Sequence, residues 1–224
     1  MRITISKENY LKAIAEAESE GETVIAATLA RWLQVSSPAV AMAIKRLKRD
    51  ELIRVAASGA ISLTRAGREI ANRLMHRHNL IERMLTEVFG MPWYKVHDEA
   101  EQLEHAVSAD FERKLLEKLG SGGPCPHGNY MGMDRPRDRR QRGWTPLDEV
   151  APGESVRVES VFERDRQLLE YLDGLGIRPG VRLRMIARNY DDTLTLTVDH
   201  RDARSPAVQL GRAAAARMWV APAS

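Results

Sequence analysis

The chain has 224 residues, with 34 Lys+Arg against 31 Asp+Glu and 43% hydrophobic residues, enough apolar material for a core and too much for a disordered polymer. No run of about 18 apolar residues occurs, which excludes a membrane-spanning helix, no membrane partner is expected, and the start Met1-Arg2-Ile3-Thr4-Ile5 lacks the apolar core of a secretory signal. Cys125 is the only cysteine, which excludes an internal disulfide and a Cys-based zinc site, so the expectation is a soluble cytoplasmic protein.

Charge is divided along the chain. Residues 1–75 carry 12 basic and 8 acidic side chains, whereas residues 76–119 carry 6 basic and 9 acidic ones. That division suits an anion-binding module followed by a cation-binding one.

Residues 6–20 read as a helix, with Ser6 as its cap and Tyr10, Leu11, Ile14 and Ala17 as its apolar stripe. Thr23 opens a second helix, Val24 to Leu33. After a short break, Pro38 fits the first turn of a third, whose inner face is Val40, Ile44 and Leu47. A hairpin follows: Leu52–Val55, a Ser58-Gly59 turn, then Ala60–Thr64. A helix-turn-helix with a wing is the expected unit. Lys45, Arg46, Lys48 and Arg49 cluster on the third helix, with Arg54 and Arg65 beside the hairpin, as phosphate contacts require. Ser36, Ser37, Pro38, Ala41 and Met42 stand at its front, where small and apolar groups meet thymine methyls. The competing reading is a helical hairpin whose basic side chains are merely solvated.

Arg65 to Glu87 reads as one long helix and Asp98 to Leu119 as another, each apolar on one face, a pairing suited to a dimer core. Residues 120–149, rich in Gly, Pro and Arg, read as a mobile linker. Beyond 150, short strands are expected at Ser155–Val161, Arg182–Ala187, Leu194–Val198 and Met218–Val220, with a helix near Asp165–Leu175. They suggest a small β-barrel.

Four of the six histidines lie within residues 76–105. His78 and Glu82 share one helix face, as do Glu101, Glu104 and His105, and His97 begins the second helix. Burying such carboxylates without a cation is costly. Carboxylate and imidazole donors favour Mn2+ or Fe2+, with Zn2+ a competitor on intrinsic affinity. His127 reads as a loop residue and His200 as a strand-end turn.

The stretch from His78-Asn79-Leu80-Ile81-Glu82-Arg83 to Lys95-Val96-His97-Asp98-Glu99-Ala100-Glu101-Gln102-Leu103-Glu104-His105 resembles the diphtheria toxin repressor family of metal-dependent regulators, its manganese-responsive members most closely. The resemblance implies a mainly α fold with a small β domain. Its parts would be a winged helix-turn-helix over 1–73, a helical dimerisation and metal-binding domain over 74–122, a linker over 123–149, and an SH3-like, FeoA-type barrel over 150–224. It also implies two metal sites. One uses His78, Glu82 and His97 with a polar group from the SH3-like domain. Glu163, Asp165 and Gln167 are the candidates for that group, Asp165 and Gln167 preferred, because the Glu-x-x-Gln pattern of the family is not cleanly present. The other uses Glu101, Glu104 and His105 with Asn9, which stands where relatives carry Asp or Met. Glu101 replaces the cysteine of iron-responsive relatives, a harder donor that suits Mn2+.

The reading is therefore a non-enzymatic repressor. It binds a palindromic operator in double-stranded DNA as a homodimer when loaded with Mn2+, Fe2+ next, with Zn2+ or Co2+ able to substitute in vitro. No small organic substrate is expected. Two rivals are a metallohydrolase using the Glu/His cluster and a winged-helix repressor that senses an organic ligand.

Overall fold

The computed structural model describes residues 3–120, 122–130, 135–199 and 207–223. His200 lies outside the described residues, as do Ser121 and residues 131–134 of the Gly- and Arg-rich stretch.

Helix α1 (Ile5–Ser19) is capped by Thr4, whose hydroxyl accepts from the Lys7 N–H at 3.4 Å, so the cap falls two residues before the expected Ser6. Its inner residues Leu11, Ile14 and Ala15 are fully buried. Helix α2 (Ala26–Leu33) starts later than Val24 for a specific reason. The Val24 carbonyl accepts the Ile61 N–H at 2.8 Å, which commits Val24 to the edge of the wing. Gln34, in the left-handed region at φ 53, turns the chain into α3 (Ser37–Arg49), which has Pro38 in its first turn as expected. Strands β1 (Ile53–Val55) and β2 (Ile61–Leu63) pair antiparallel as the wing.

Helix α4 (Arg65–Glu87) leaves the wing directly, with Thr64 accepting from the Gly67 N–H at 3.1 Å. A Cβ on Gly67 would lie 2.0 Å from the Leu52 carbonyl oxygen, so only glycine lets α4 start this close to the chain entering β1. The helix then runs out of the winged N-terminal unit, and its second half packs Leu80 and Ile81 into a separate core with Val96, Ala100 and Leu115.

The single helix expected over 98–119 is two. Helix α5 (Val96–Leu103) ends before Glu104, and α6 (Ala109–Leu119) begins after Ser108, whose hydroxyl accepts from the Phe111 N–H at 3.2 Å. The serine cap competes with continuation of the helix and wins. Glu104 and His105 are thereby placed in the turn between helices, free to point in different directions.

The stretch expected as a linker is largely built into the fold. Cys125 and His127 are buried, and α7 (Pro136–Gln141) packs beside α1 through Arg135–Glu18 and Arg139–Glu20 ion pairs. Strand β3 (Thr145–Pro146) and a single 3-10 turn (Leu147–Glu149) already belong to the C-terminal sheet. That sheet continues with β4 (Ser155–Val161), β5 (Arg182–Arg188), β6 (Leu194–Val198), β7 (Ala207–Leu210) and β8 (Met218–Pro222). The order is β3-β8-β4-β5-β6-β7, antiparallel throughout, consistent with an SH3-like domain. β3 and β7 are the strands that the alternation of apolar residues did not reveal.

Helix α8 (Arg166–Gly174) buries Leu168, Leu169 and Leu172 against the sheet, and the short α9 (Arg212–Ala215) precedes β8. Trp93, just ahead of α5, joins this third core and donates its indole N–H to Asp173 at 2.7 Å. The C-terminal domain is thus seated directly on the helices that carry the His/Glu cluster.

Candidate metal centre

Helix α4 presents His78 and Glu82 one turn apart, both buried, and α5 brings His97 against them. His78 Nε2 lies 3.0 Å from Glu82 Oε1 and 3.0 Å from His97 Nδ1, and His97 Nδ1 lies 3.2 Å from Glu82 Oε1. From the end of β4, Glu163 brings Oε1 to 3.8 Å from His97 Nδ1. One ligand atom from each of His78, Glu82, His97 and Glu163 fits within 4.8 Å of all the others.

The C-terminal domain therefore contributes Glu163. The preferred candidates are used elsewhere. Asp165 caps α8 by accepting from the Leu168 N–H at 3.0 Å and pairs with Arg217 at 3.0 Å, while Gln167 is exposed on the helix surface. Helix capping has claimed Asp165.

A second set of four overlaps the first: Glu82, Cys125, His127 and Glu163, again within 4.8 Å of one another. His127 Nε2 faces the Trp93 carbonyl at 2.9 Å, which can only accept, so Nε2 carries a proton and Nδ1 is the nitrogen that faces the cluster. That nitrogen points at Glu82 Oε2 (3.4 Å), Glu163 Oε2 (3.7 Å) and Cys125 Sγ (3.8 Å). A carbonyl that fixes the tautomer in this way is the usual outer partner of a ligating histidine. Neither Cys125 nor His127 was expected here. The signal was Cys125-Pro126-His127-Gly128, two ligand-type residues at alternate positions of a tight turn.

Gly128 makes the turn possible. It sits at φ +86, and a Cβ there would meet the Glu159 carbonyl oxygen at 1.9 Å. The glycine lets the loop lie flat on β4, where the Val161 N–H donates to the His127 carbonyl at 2.9 Å.

The electrostatics are those of a site short of positive charge. Burial alone would raise the Glu82 carboxyl, yet the His127 and His78 rings hold it well below the ordinary carboxylate range. Burial would likewise lower His97, but the carboxylates of Glu101, Glu82 and Glu163 around it push it up to about 10. Burial, with Glu82 and Glu163 beside it, drives the Cys125 thiol well above its usual range. Even so, the nearest partners of buried Glu82 Oε2 and His97 Nε2, His127 Nδ1 at 3.4 Å and Glu101 Oε1 at 3.6 Å, do not complete well-formed hydrogen bonds. Polar atoms this poorly paired are costly in an interior, and a divalent cation satisfies them directly once the imidazole gives up its proton. The residues fit a metal.

The second expected set is partly assembled. His105 Nε2 meets the Asn9 carboxamide oxygen at 2.6 Å and lies 3.6 Å from Glu104 Oε1, while its Nδ1 faces Glu8 at 3.1 Å. Glu104 Oε2, however, is held by Lys12 Nζ at 2.8 Å and by His78 Nδ1 at 2.7 Å. Glu101 is held by Arg164 at 3.0 Å, and the same guanidinium reaches Glu16 at 2.8 Å. A cavity of about 360 Å³ opens between these groups, lined by Asn9, Lys12, Glu16, Glu101, Glu104 and Arg164. Protein cations thus stand on the two glutamates that would serve as ligands.

Burial would lower Lys12, but Glu16, Glu104 and Glu101 around it raise it, so it stays charged. The Lys12 side chain was not singled out by periodicity. On a helical plot it is one more Lys four residues before a Glu.

On the winged N-terminal unit, Ser36, Ser37, Pro38, Ala41 and Met42 are all exposed at the front of α3, and Lys45, Arg46, Lys48 and Arg49 are exposed behind them. Met42 keeps 58% of its surface open to solvent, a high value for an apolar side chain that has no buried role.

Comparison with known proteins agrees with this layout. Residues 2–61 match the family model "Iron dependent repressor, N-terminal DNA binding domain", residues 64–131 match "Iron dependent repressor, metal binding and dimerisation domain", and residues 145–222 match "FeoA domain". The diphtheria toxin repressor of Corynebacterium efficiens is 34% identical over 190 residues, covering 80% of this chain and 82% of that protein. The iron-dependent repressor IdeR of Mycobacterium leprae is 32% identical over 210 residues, covering 89% and 91%. Among solved structures, a manganese-dependent transcriptional repressor in complex with manganese superposes with a TM-score of 0.86 at 31% identity, covering 97% of this chain and 100% of that one. The manganese-activated repressor ScaR with bound Cd2+ superposes at 0.80 and 28% identity, covering 97% and 99%. With its buried His/Glu cluster seated between a winged helix and a FeoA-type domain, the chain belongs to the diphtheria toxin repressor (iron-dependent repressor) family.

Proposed function

We propose that the protein is a transcriptional repressor whose DNA binding is switched on by a divalent transition metal, Mn2+ first and Fe2+ next. The observation that carries this reading is the position of α1. The helix that packs beneath the winged-helix core also lends Asn9, Glu8 and Lys12 to the cluster between α5 and α6. Any change in what holds Asn9, Glu104 and His105 together is therefore felt by the element that carries the reading head.

A bound cation supplies a multidentate cross-link of oxygen and nitrogen donors. His105 and Glu104 would hold the core end of that link and Asn9 the head end, with Glu101, now paired with Arg164, a further oxygen donor beside them. A cation held by the first constellation, His78, Glu82, His97 and Glu163, would tie the C-terminal domain to α4 and α5. In a homodimer the link would hold two recognition helices about one turn of DNA, or a multiple, apart, which matches a palindromic operator. The exposed Val88, Phe89 and Phe111 on α4 and α6 and the turn after α4 supply apolar surface for that dimer. By linkage, operator DNA must tighten metal binding by the same factor that metal tightens DNA binding.

The test is fluorescence anisotropy on DNA from the protein's own upstream region, in chelator and then with Mn2+, anaerobic Fe2+, Co2+ and Zn2+. Binding that appears only with metal is the expected result. Equal binding in chelator would reduce the cluster to a structural role.

A further inference from the structure

The two overlapping ligand sets share both of their carboxylates, and the carboxylates are turned in a particular way. Glu82 directs Oε1 to His78 Nε2 (3.0 Å) and His97 Nδ1 (3.2 Å), while its Oε2 faces His127 Nδ1 (3.4 Å). Glu163 repeats the arrangement. Its Oε1 faces His97 Nδ1 (3.8 Å), while its Oε2 faces His127 Nδ1 (3.7 Å) and Cys125 Sγ (3.6 Å). Asn129 fixes that orientation by donating its amide N–H to Glu163 Oε2 at 2.6 Å.

We propose that Glu82 and Glu163 are shared ligands of a two-cation centre, with His78 and His97 completing one half and Cys125 and His127 the other. The proposal rests on the metal-dependent reading above, and it concerns how many ions this cluster takes and of what kind.

Three observations argue for two positions over one. The six side chains do not form a single group: they fall into two sets of four, each compact to within 4.8 Å. The His97 and His127 rings, one from each half, stand 6.2 Å apart between centroids, whereas His78 and His97, in the same half, stand 4.7 Å apart. The last concerns one oxygen: with one ion in the His78/His97 half, buried Glu82 Oε2 makes no well-formed hydrogen bond and has only His127 Nδ1, 3.4 Å away, to face. A second cation removes that cost. Carboxylates that bridge in this manner commonly hold ions about 3.5–4 Å apart.

The halves also differ in chemistry. Two imidazoles and two carboxylate oxygens make a hard set suited to Mn2+ or Fe2+. The Cys125 sulfur makes the other set softer, suited to Zn2+ or Fe2+. The halves thus differ in preference, yet each offers oxygen and nitrogen donors that any of these divalent ions accepts, so a single metal at saturation fills both.

The test is a count of bound metal on the full-length protein, using Mn2+ alone and Co2+ alone. Wild type should bind one equivalent more than Cys125→Ser, one more than His78→Ala, and two more than Glu82→Gln. The Mn2+-loaded wild type should show the electron paramagnetic resonance signal of a coupled pair, which Cys125→Ser converts to an isolated ion. With Co2+, the thiolate charge-transfer band should vanish in Cys125→Ser and survive in His78→Ala. If Cys125→Ser and His78→Ala each abolish the same single equivalent, or the wild-type signal is uncoupled at saturation, the two-cation centre is wrong. The wild-type spectrum decides even if a variant fails to fold. The outcome is separable from that of the repressor reading: metal-dependent DNA binding with a one-ion centre overturns only this proposal, and a two-ion centre without metal-dependent DNA binding overturns only the other.

Discussion

The ammonium of Lys12 on α1 sits 2.8 Å from Glu104 Oε2, and both groups are buried. It also approaches His78 Nδ1 at 3.0 Å and the carboxylates of Glu16 and Glu101 at 3.8 and 3.9 Å. A lysine in this place acts as a fixed internal cation. It joins the reading head to the helical core by the same contact that metal ligation would use, and it must be displaced from Glu104 before that oxygen is free.

Lys12→Met should therefore move two properties in opposite directions. Without metal, Glu104 loses its charged partner and keeps only His78, so the chelator-treated protein should lose about 3 kcal/mol of stability. With metal, the competitor is gone and Mn2+ should bind more tightly. Thermal melts in chelator and calorimetric Mn2+ titration measure the two. A variant with unchanged Mn2+ affinity would show that Lys12 does not compete for the site.

The pH dependence of the metal-free protein follows from the shifts at the cluster. His97 and His78 are raised in the fold, so their contribution is complete below about pH 6.5, the unfolded value, and His97's is lost as pH rises toward about 10. Cys125, also raised, adds to the loss above about pH 8.5. Glu82, Glu101 and Glu104 are lowered, so their contribution is present above about pH 4.3 and is lost as pH falls below it. Stability in chelator should be greatest between about pH 4.5 and 6.5 and decline on the alkaline side, with His97→Gln flattening that decline. A melting temperature that climbs from pH 6.5 to 9 would contradict this.

His105→Ala removes the core end of the link to Asn9 without disturbing the buried His78–Glu82–His97 group. Metal-dependent DNA affinity should fall at least about 10-fold, while the protein remains dimeric by sedimentation. Loss of the dimer would show that His105 supports the fold and not the switch.

Much of this was readable from spacing. Ile70, Leu74, Ile81 and Leu85 mark α4 to the residue, and Pro38 with the basic run after it marks the reading head. The break at Ser108 was hidden because Leu103, Val107, Phe111 and Leu115 keep a four-residue interval straight across it, and only the serine cap betrays the stop. Cys125 and His127 were hidden for another reason. Their partners lie 38 residues away at Glu163 and more than 40 away at Glu82, and no local pattern encodes such contacts. Asp165 misled because a carboxylate just before an apolar run serves equally as cap or ligand, and here the cap prevails.

Lys45 is exposed on α3 and clear of the apolar face. Lys45→Ala should weaken binding to operator and unrelated DNA alike, and reduce the slope of log affinity against log salt by about 0.9. An unaltered slope would mean that Lys45 touches no phosphate.

Gly128 offers a way to perturb the Cys125–His127 turn without touching a ligand. Alanine there meets two obstacles: the left-handed backbone at φ +86, and the Glu159 carbonyl oxygen 1.9 Å from the new Cβ. Gly90 shares the first obstacle at φ +65 but has nothing within 4 Å of its Cβ position. Gly90→Ala should therefore show the backbone strain alone, about 1 kcal/mol, and leave metal binding as it is. Gly128→Ala should lose more than that, because the loop must lift from β4, and it should also lose the Cys125-to-Co2+ charge-transfer band as the sulfur and the His127 nitrogen leave Glu82 and Glu163. Equal stability losses in the two variants, with the band retained in both, would show that the loop reaches its ligating position without needing this close approach.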